Sequence, residues 1–414
     1  MKNIYILFIS TLATVSVSNC HSQVKTNSSG NTKEPSLPAP FATPDVTKSS
    51  RVIGWPEGKT PVAPAGFKVT RYADKFNSPR WLYTTPNGDL LVAESSTSRR
   101  RSANDIILLR DANRDGIPET RTVFLKGLNQ PLGMLVLGTW FYVANTDGVY
   151  RYPYKVGQTE ITAKGNKILD LPGSGYNNHW TRNLLANANG TKIYVSVGSS
   201  SNVGENGMEN EIRRADILEI NPDGTGERIF ASGLRNPVGM DWEPFTGKLW
   251  TAVNERDNLG DDLVPDYMTS VKEGAFYGWP YAYFGPHEDP RLKGQRPDLV
   301  SKTIAPDVDL GSHTASLGLA FYTKKEFPNT YHGGAFVGQH GSWNRSVFSG
   351  YKVVFVPFKK GIPGKPQDFL SGFIASEQRS EVYGRPVDVL VMADGSLLVT
   401  DDGSNIIWKV MAVH

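Results

Sequence analysis

A glycine turn followed by a short strand of large apolar and β-branched residues recurs six times along this chain. The copies start at Gly88 (Gly-Asp-Leu-Leu-Val), Gly138 (Gly-Thr-Trp-Phe-Tyr-Val), Gly190 (Gly-Thr-Lys-Ile-Tyr-Val), Gly247 (Gly-Lys-Leu-Trp), Gly334 (Gly-Ala-Phe-Val) and Gly395 (Gly-Ser-Leu-Leu-Val). Their intervals of 50, 52, 57, 87 and 61 residues suit one four-stranded sheet plus its loops. A sheet unit repeated radially is one way an all-β chain disposes of its open edges. No long amphipathic helix interrupts the pattern. The expected fold is all-β, a six-bladed β-propeller of four-stranded antiparallel sheets around a central channel. An all-β sandwich would need six similar turns by accident.

A second element precedes each turn. A small or polar residue, often with proline, leads into an apolar strand at Ser78-Pro79, Gln130-Pro131, His179-Trp180, Arg235-Asn236-Pro237, Thr314-Ala315 and Arg385-Pro386. The glycine turn then reverses the chain, so the start of the first strand and the end of the second share one face. That geometry gathers His179, Arg235, Asn236 and Arg385 at one channel mouth with Glu255–Asn258, Gln339-His340 and Asp401-Asp402. The longest interval carries an insertion over 260–306, expected to roof this mouth. Trp279, Tyr281 and Tyr283 either line a ligand from above or pack the insertion itself.

A formal charge of +3 over 414 residues gives no argument for nucleic acid as a partner. Lys2 precedes an apolar run from Ile4 to Val17, too short to span a bilayer and laid out as a signal peptide over residues 1–19. Cys20 is the single cysteine, so no intrachain disulfide forms. At the end of the apolar run it reads as a lipid anchor of a bacterial lipoprotein, or as a spare thiol. The expected location is outside the cytoplasm, periplasmic or anchored at the outer membrane. Residues 20–55, poor in apolar side chains, read as a disordered tether ahead of a propeller over 56–414.

The chemistry expected at the mouth follows from residue types. A neutral imidazole accepts a proton at working pH, which makes His179 a candidate base or else a hydrogen-bonded structural residue. Arg235, Arg345 and Arg385 approach from three blades. Converging guanidinium groups want an anion between them, unless each pairs privately with Asp388, Asp401 or Asp402. The loop Glu255–Asp262 offers oxygens of the kind Ca²⁺ prefers. Asp111, Asn113, Asp115, Gly116 and Glu119 read as the front of an EF-hand-like loop or as a solvated turn.

Five motifs in order carry a family resemblance: Asn178-His179-Trp180-Thr181-Arg182-Asn183-Leu184, Leu234-Arg235-Asn236-Pro237-Val238-Gly239, Tyr277-Gly278-Trp279-Pro280, His340-Gly341-Ser342-Trp343-Asn344-Arg345, and Gly384-Arg385-Pro386-Val387-Asp388-Val389. Over roughly residues 60–412 the chain resembles the soluble quinoprotein sugar dehydrogenases, which use pyrroloquinoline quinone (PQQ), above all their sorbosone-dehydrogenase-like branch.

The resemblance implies PQQ- and Ca²⁺-dependent oxidation of an aldose or sugar aldehyde, with hydride passing from C1 to the quinone C5. Electrons then leave to an external quinone or cytochrome. His179 would be the general base and Arg235 the group polarising the quinone oxygen. Asn236, His340, Arg345, Arg385 and Asp388 would hold the cofactor, and Gln130 and Trp279 the substrate. Asp257, Asn258, Asp262 and Tyr277 would hold calcium. Val387 replaces the family's second arginine, and Arg345 is the expected substitute. Removing Arg235 is expected to cost rate rather than structure. Two other readings fit the same propeller: a Ca²⁺-dependent lactonase using Glu94, Asn145, Asn254 and Asp401, and a non-catalytic sugar-binding protein.

Overall fold

The computed structural model describes residue 1 and residues 37–97, 102–113 and 115–413. The signal peptide, Cys20 and the first part of the tether lie outside the described residues. The chain from Leu37 to His414 forms one compact unit.

Six four-stranded antiparallel sheets make up that unit. Blade 1 holds Pro79–Thr84, Leu90–Glu94, Ile106–Arg110 and Thr120–Leu125; blade 2 holds Met134–Leu137, Trp140–Asn145, Gly148–Pro153 and Asn166–Asp170. Blade 3 runs Arg182–Ala186, Ile193–Val197, Asp216–Ile220, Arg228–Ser232; blade 4 runs Pro237–Trp242, Leu249–Val253, Pro265–Ser270, Val308–Ser312. Blade 5 comprises Ser316–Phe321, Ala335–Gln339, Lys352–Val356 and Gln367–Leu370. Blade 6 takes Pro386–Val391, Leu397–Asp401 and Ile406–Ala412, and is completed by Phe67–Ala73 from the other end of the chain.

Burial explains the sequence texture. The second strand of blade 1, Leu-Leu-Val-Ala-Glu, is buried at every position because neighbouring blades cover both its faces. The fourth strand, Thr-Arg-Thr-Val-Phe-Leu, alternates exposed and part-buried before entering the core. The apolar core sits between blades: Trp81, Leu91 and Leu108 of blade 1 pack with Phe141, Val143 and Tyr152 of blade 2. Side chains on inner strands also reach across. The Asp388 carboxylate accepts the Leu82 N–H at 2.8 Å, and Asp241 accepts the Phe321 N–H at 2.7 Å. Where the strands converge there is no room for a side chain: a Cβ on Gly318 would stand 2.6 Å from the Val387 carbonyl oxygen.

Three expectations change. Pro265–Ser270 is the third strand of blade 4, so the insertion begins at 271 rather than 260. Its opening Pro-Asp hid it, because it lacks the β-branched run of the other strands. The insertion packs along the outer strand of blade 3, with Tyr277 N–H donating to Ser232 O and Trp279 N–H to Gly233 O; its Trp279 indole and Arg291 reach the mouth loops at Asn202 and Asp257, while none of its residues lines the cavity.

Residues 37–55, expected in the tether, belong to the compact unit. Phe41 N–H donates to Leu259 O, Lys48 N–H to Trp343 O, and Arg51-Val52 pairs in parallel with Glu381-Val382. Backbone pairing, which composition does not register, holds this strap down.

Asp388, expected to bind cofactor, is buried between blades 6 and 1, and burial pushes its carboxyl well above the usual range. Asp388→Ala should therefore lower unfolding stability by about 1–3 kcal/mol through the orphaned Leu82 N–H. Urea denaturation checks this, and ligand affinity at the mouth should stay unchanged.

Candidate functional site at the channel mouth

The ends of the inner and second strands open onto one cavity of about 330 Å³. The contributors lie within four residues of a strand end, Arg80 and Leu317 inside their strands. Asn178 to Thr181 precede the inner strand of blade 3, Asn236 that of blade 4 and Arg385 that of blade 6, while His340 and Asp402 follow second strands. Rigid sheet ends thus aim side chains taken from five blades.

His179 is 7% exposed and lines the cavity. Its Nδ1 lies 2.9 Å from the Ser199 carbonyl oxygen, an acceptor only. That contact assigns the proton to Nδ1 and leaves Nε2 an acceptor, with the Asn178 side-chain amide 3.5 Å away. Burial, then the Arg235, Arg182 and Arg214 guanidinium groups, hold the pKa well below 6.5, so the ring is neutral at working pH. The Ser199 support is itself fixed: its N–H donates to the Arg235 carbonyl at 2.7 Å. Gly198 is required there, since a Cβ would stand 2.3 Å from Asn236 Oδ1 and 2.6 Å from His179 Cβ.

Two more imidazoles share the cavity. His340 Nε2 donates to Asp402 Oδ1 at 2.7 Å, and burial with nearby Arg385 lowers its pKa to about 4. Arg80 holds the other oxygen of Asp402 at 2.7 Å, and the carboxylate stays ionised despite burial. His313 behaves oppositely. Burial opposes its charge, but the Asp257 carboxylate (3.3 Å) and Gly260 carbonyl (2.9 Å) accept from both ring nitrogens and raise its pKa. Cationic Arg80, Arg385 and His313 therefore face Asp402 and Asp257 across one cavity. Arg385 also donates to the His340 and Gly341 carbonyls.

Arg235 does not line the cavity. It is 1% exposed, and its guanidinium donates to the carbonyls of Asn202, Asn254 and Glu255 and to the Asp257 carboxylate at 3.2 Å. Arg345 is also elsewhere, paired with Asp262 at 2.5 Å. Gln130 donates to the Ser96 carbonyl at 2.7 Å, supporting a loop of the wall rather than lining it. Trp279 is 3% exposed, its indole donating to Asn202 O. Tyr283 is buried in the insertion.

The calcium ligands implied by the resemblance are chiefly main-chain carbonyls, those of Asp257 and Asn258 for the cofactor's ion and that of Tyr277 with Asp262 for a second one. The Asp257 carbonyl accepts from Asn202 and from the Arg291 guanidinium, Asp262 is paired, and the Tyr277 side chain lies buried in the insertion. Among the described residues no group of three His, Cys, Asp or Glu side chains is placed to hold a metal. Asp401, offered for the lactonase alternative, instead accepts from the Trp55 and Trp408 indoles. Asp111, Asp115 and Glu119 accept from their own loop's backbone N–H groups.

Sequence reasoning missed Arg80, His313 and Trp343 as cavity residues. Each was adjacent to a stretch already singled out: Arg80 follows Ser78-Pro79, and His313 precedes Thr314-Ala315.

Three buried atoms at the cavity have no partner within the protein: Arg80 Nε, Thr181 Oγ1 and Asn236 Oδ1. Buried polar groups are normally satisfied, so this wall is built for a polar ligand. Arg80, Arg385 and His313 set against Asp402 and Asp257 leave the wall a small positive excess, which favours a ligand with negative charge.

Removing Arg235 would leave Asp257 with His313 alone and orphan the buried carbonyls of Asn202, Asn254 and Glu255, contrary to the expectation of an intact fold. Arg235→Ala should destabilise by about 3–5 kcal/mol, as for other broken buried ion pairs. Guanidinium unfolding of the purified variant reads this out.

A family model described as TrAA12-like matches residues 61–275 and 296–412. A protein of Borreliella burgdorferi without a described function is 28% identical over 361 residues, covering 84% of this chain and 89% of its own. A pyrroloquinoline quinone-dependent pyranose dehydrogenase of Coprinopsis cinerea is 24% identical, over 83% of this chain and 54% of its own length. The chain thus spans about half of that relative. The holo PQQ domain of the C. cinerea pyranose dehydrogenase superposes with a TM-score of 0.71 at 21% identity, covering 87% of this chain and 99% of that one. A calcium structure of the Trichoderma reesei family AA12 enzyme gives 0.69 at 18%, covering 85% and 97%.

Proposed function

This chain belongs to the TrAA12-like family, with PQQ-dependent sugar dehydrogenases among its relatives, and on that premise we propose that it oxidises a sugar at the channel mouth using PQQ. The carrying observation is a neutral histidine whose Nε2 is an acceptor, lining a cavity that also holds two guanidinium groups and unpartnered polar atoms.

PQQ is a flat tricarboxylate, and the residues present fit it. Arg80 and Arg385 would meet its carboxylates, with the Thr181 hydroxyl and Arg80 Nε as further donors. When bound, PQQ supplies a quinone carbonyl able to accept hydride from the sugar carbon. His179 Nε2 takes the hydroxyl proton of that carbon, and the Ser199 carbonyl keeps the ring in the required tautomer. Hydride and proton leave together, so the alcohol carbon becomes a carbonyl. The proton on His179 returns to solvent, and the electron pair passes to an external acceptor. Arg235 acts from behind the wall: its charge keeps His179 neutral, and its hydrogen bonds fix the Asp257 loop. The reacting position proposed is C1 of an aldose or sugar aldehyde. Export through residues 1–19 and lipid attachment at Cys20 complete the proposal.

Calcium enters differently. The side chains near Asp257 offer it no preformed cage, while Ca²⁺ wants roughly six to eight oxygens. Ion binding at this mouth would then draw on oxygens of the cofactor itself. Calorimetric titration of Ca²⁺ should show little heat with the apo protein and a clear isotherm once PQQ is present. A strong isotherm without PQQ would contradict this.

PQQ added to the purified protein should quench tryptophan fluorescence and confer dye reduction on aldoses. His179→Gln should fold and bind PQQ yet lose about 10²–10⁴-fold in kcat. Because the folded pKa is depressed, wild-type kcat/KM should hold steady from pH 8 to 6.5 and fall only well below 6.5. Undiminished turnover by the variant would remove His179 from the mechanism. Sugar binding without turnover would favour the non-catalytic reading.

A further inference from the structure

The turns joining first to second and third to fourth strands lie on the face opposite the mouth, because each strand carries the chain across the disc. On that face, in blades 4 and 5, two apolar side chains stand in water. Phe245, in the turn 243–248 of blade 4, is 67% exposed, and Ile362, between the third and fourth strands of blade 5, is 70% exposed. Isolated apolar residues at a surface are common. These two are not isolated: the turns that carry them touch, since a Cβ on Gly361 would run into Thr246 Cγ2 and stand 3.2 Å from Glu243 Oε2.

Both tips are held outward by the residues beneath them. Phe358–Lys359 pairs with Ile362–Pro363 as a small hairpin, so Phe358 shares one face with Pro363, and Lys359 the other with Ile362. Phe358 packs inward, its ring 5.1 Å from Trp250 and 5.0 Å from Phe321. The alternation of the strand then turns Ile362 to solvent. In the neighbouring turn the Glu243 carboxylate accepts the Phe245 and Thr246 N–H groups at 2.9 and 2.6 Å. Glu243 is itself 1% exposed, so it fixes the turn and adds no negative charge to the surface.

Charge completes the patch. Lys248, Lys359, Lys360 and Lys365 are exposed, and none has an ion pair among the described residues. No acidic residue occurs from 357 to 366. Elsewhere on the same face the sign reverses, for the blade 1 turn bearing exposed Ile117 also carries Asp111, Asp115 and Glu119. The face is thus polarised, apolar and basic only at blades 4 and 5.

Apolar tips flanked by long cationic side chains suit a boundary where hydrocarbon lies beneath anionic headgroups. Lysine stems can lie along the apolar tips while their ammonium groups stay at the level of the phosphates. Fluid lipid accepts side chains projecting from turns, whereas a protein partner needs a matched surface of roughly 800 Å². We propose that the blade 4 and blade 5 turns are a docking surface for an anionic phospholipid bilayer. Phe245 and Ile362 enter between headgroups, and the mouth, on the opposite face, is directed away from lipid and open to solutes. The surface uses no residue of the reaction site and stands apart from the dehydrogenase reading.

The test uses residues 37–414, the compact unit without Cys20 or the apolar run 4–17. This unit is sedimented with vesicles of phosphatidylcholine alone and of phosphatidylcholine mixed with phosphatidylglycerol. Binding should require phosphatidylglycerol and weaken as salt rises. Phe245→Ser and Ile362→Ser should each lower the vesicle partition coefficient about ten-fold. Lys359→Gln should lower it about five-fold. Ile117→Ser, an equally exposed change at the acidic turn of the same face, should leave it unchanged. All four variants should melt with the wild type, because the replaced side chains stand in water.

Absence of binding to phosphatidylglycerol vesicles would overturn the proposal, and so would equal losses from the Ile117 and Phe245 variants. Soluble polyaspartate supplies acidic groups without a hydrocarbon layer. If it displaces the protein from vesicles while Phe245→Ser leaves the partition intact, the patch is a site for an acidic protein and the lipid assignment fails. None of these readouts depends on turnover, so their outcome is separate from that of the dehydrogenase assays.

Discussion

The contact between Arg235 and Asp257 is the knot of this structure. A guanidinium 1% exposed is costly to bury, and one carboxylate with three main-chain carbonyls offsets that cost. Those acceptors come from the loops after the second strands of blades 3 and 4. Asp257 also grips His313 of blade 5, and its carbonyl receives Arg291 of the insertion. The Arg235 carbonyl meanwhile receives Ser199 N–H, and the Ser199 carbonyl orients His179. Three blades and the insertion therefore agree on the position of one imidazole through a single buried ion pair. The insertion is further secured by Arg256, wholly buried between Glu255 and Asp289.

Three histidines in one cavity show how little the residue type decides. His179 is neutral because burial and then the surrounding guanidinium groups oppose its charge, outweighing the Ser199 carbonyl that favours it. His340 stays neutral beside an ionised carboxylate because burial opposes its charge and Arg385 and Arg80 lie close. His313 carries charge because acceptors flank both nitrogens. A proton acceptor, a hydrogen-bond donor and a fixed cation thus arise from the same side chain under different neighbours.

The turns were readable because backbone geometry forces them: Gly88, Gly138, Gly190, Gly247 and Gly395 all have positive φ, which other residues adopt at a cost. From that period came the blades, and from strand reversal the shared mouth where His179, Asn236, His340 and Arg385 stand. What escaped has no local signature. The strand Phe67–Ala73 finds its partner over 300 residues away, and Pro265–Ser270 lacks the usual β-branched pattern. Arg235 and Asp388 sit where their motifs put them, but a motif does not say which way a side chain turns. Both turn into the protein, one behind the mouth and one between blades. Charge likewise assigned Arg345 to the mouth, where only a three-dimensional neighbour, Asp262, could claim it.

The pairing of Phe67–Ala73 with Ile406–Ala412 sets an order of events. The outer strand of blade 6, Phe67–Ala73, has no sheet to join until Ile406–Ala412 exists, and Arg385 and Asp402 of the cavity flank strands of that blade. A polypeptide that stops short of Ile406–Ala412 leaves the ligand chamber unfinished, so loading follows synthesis of that strand.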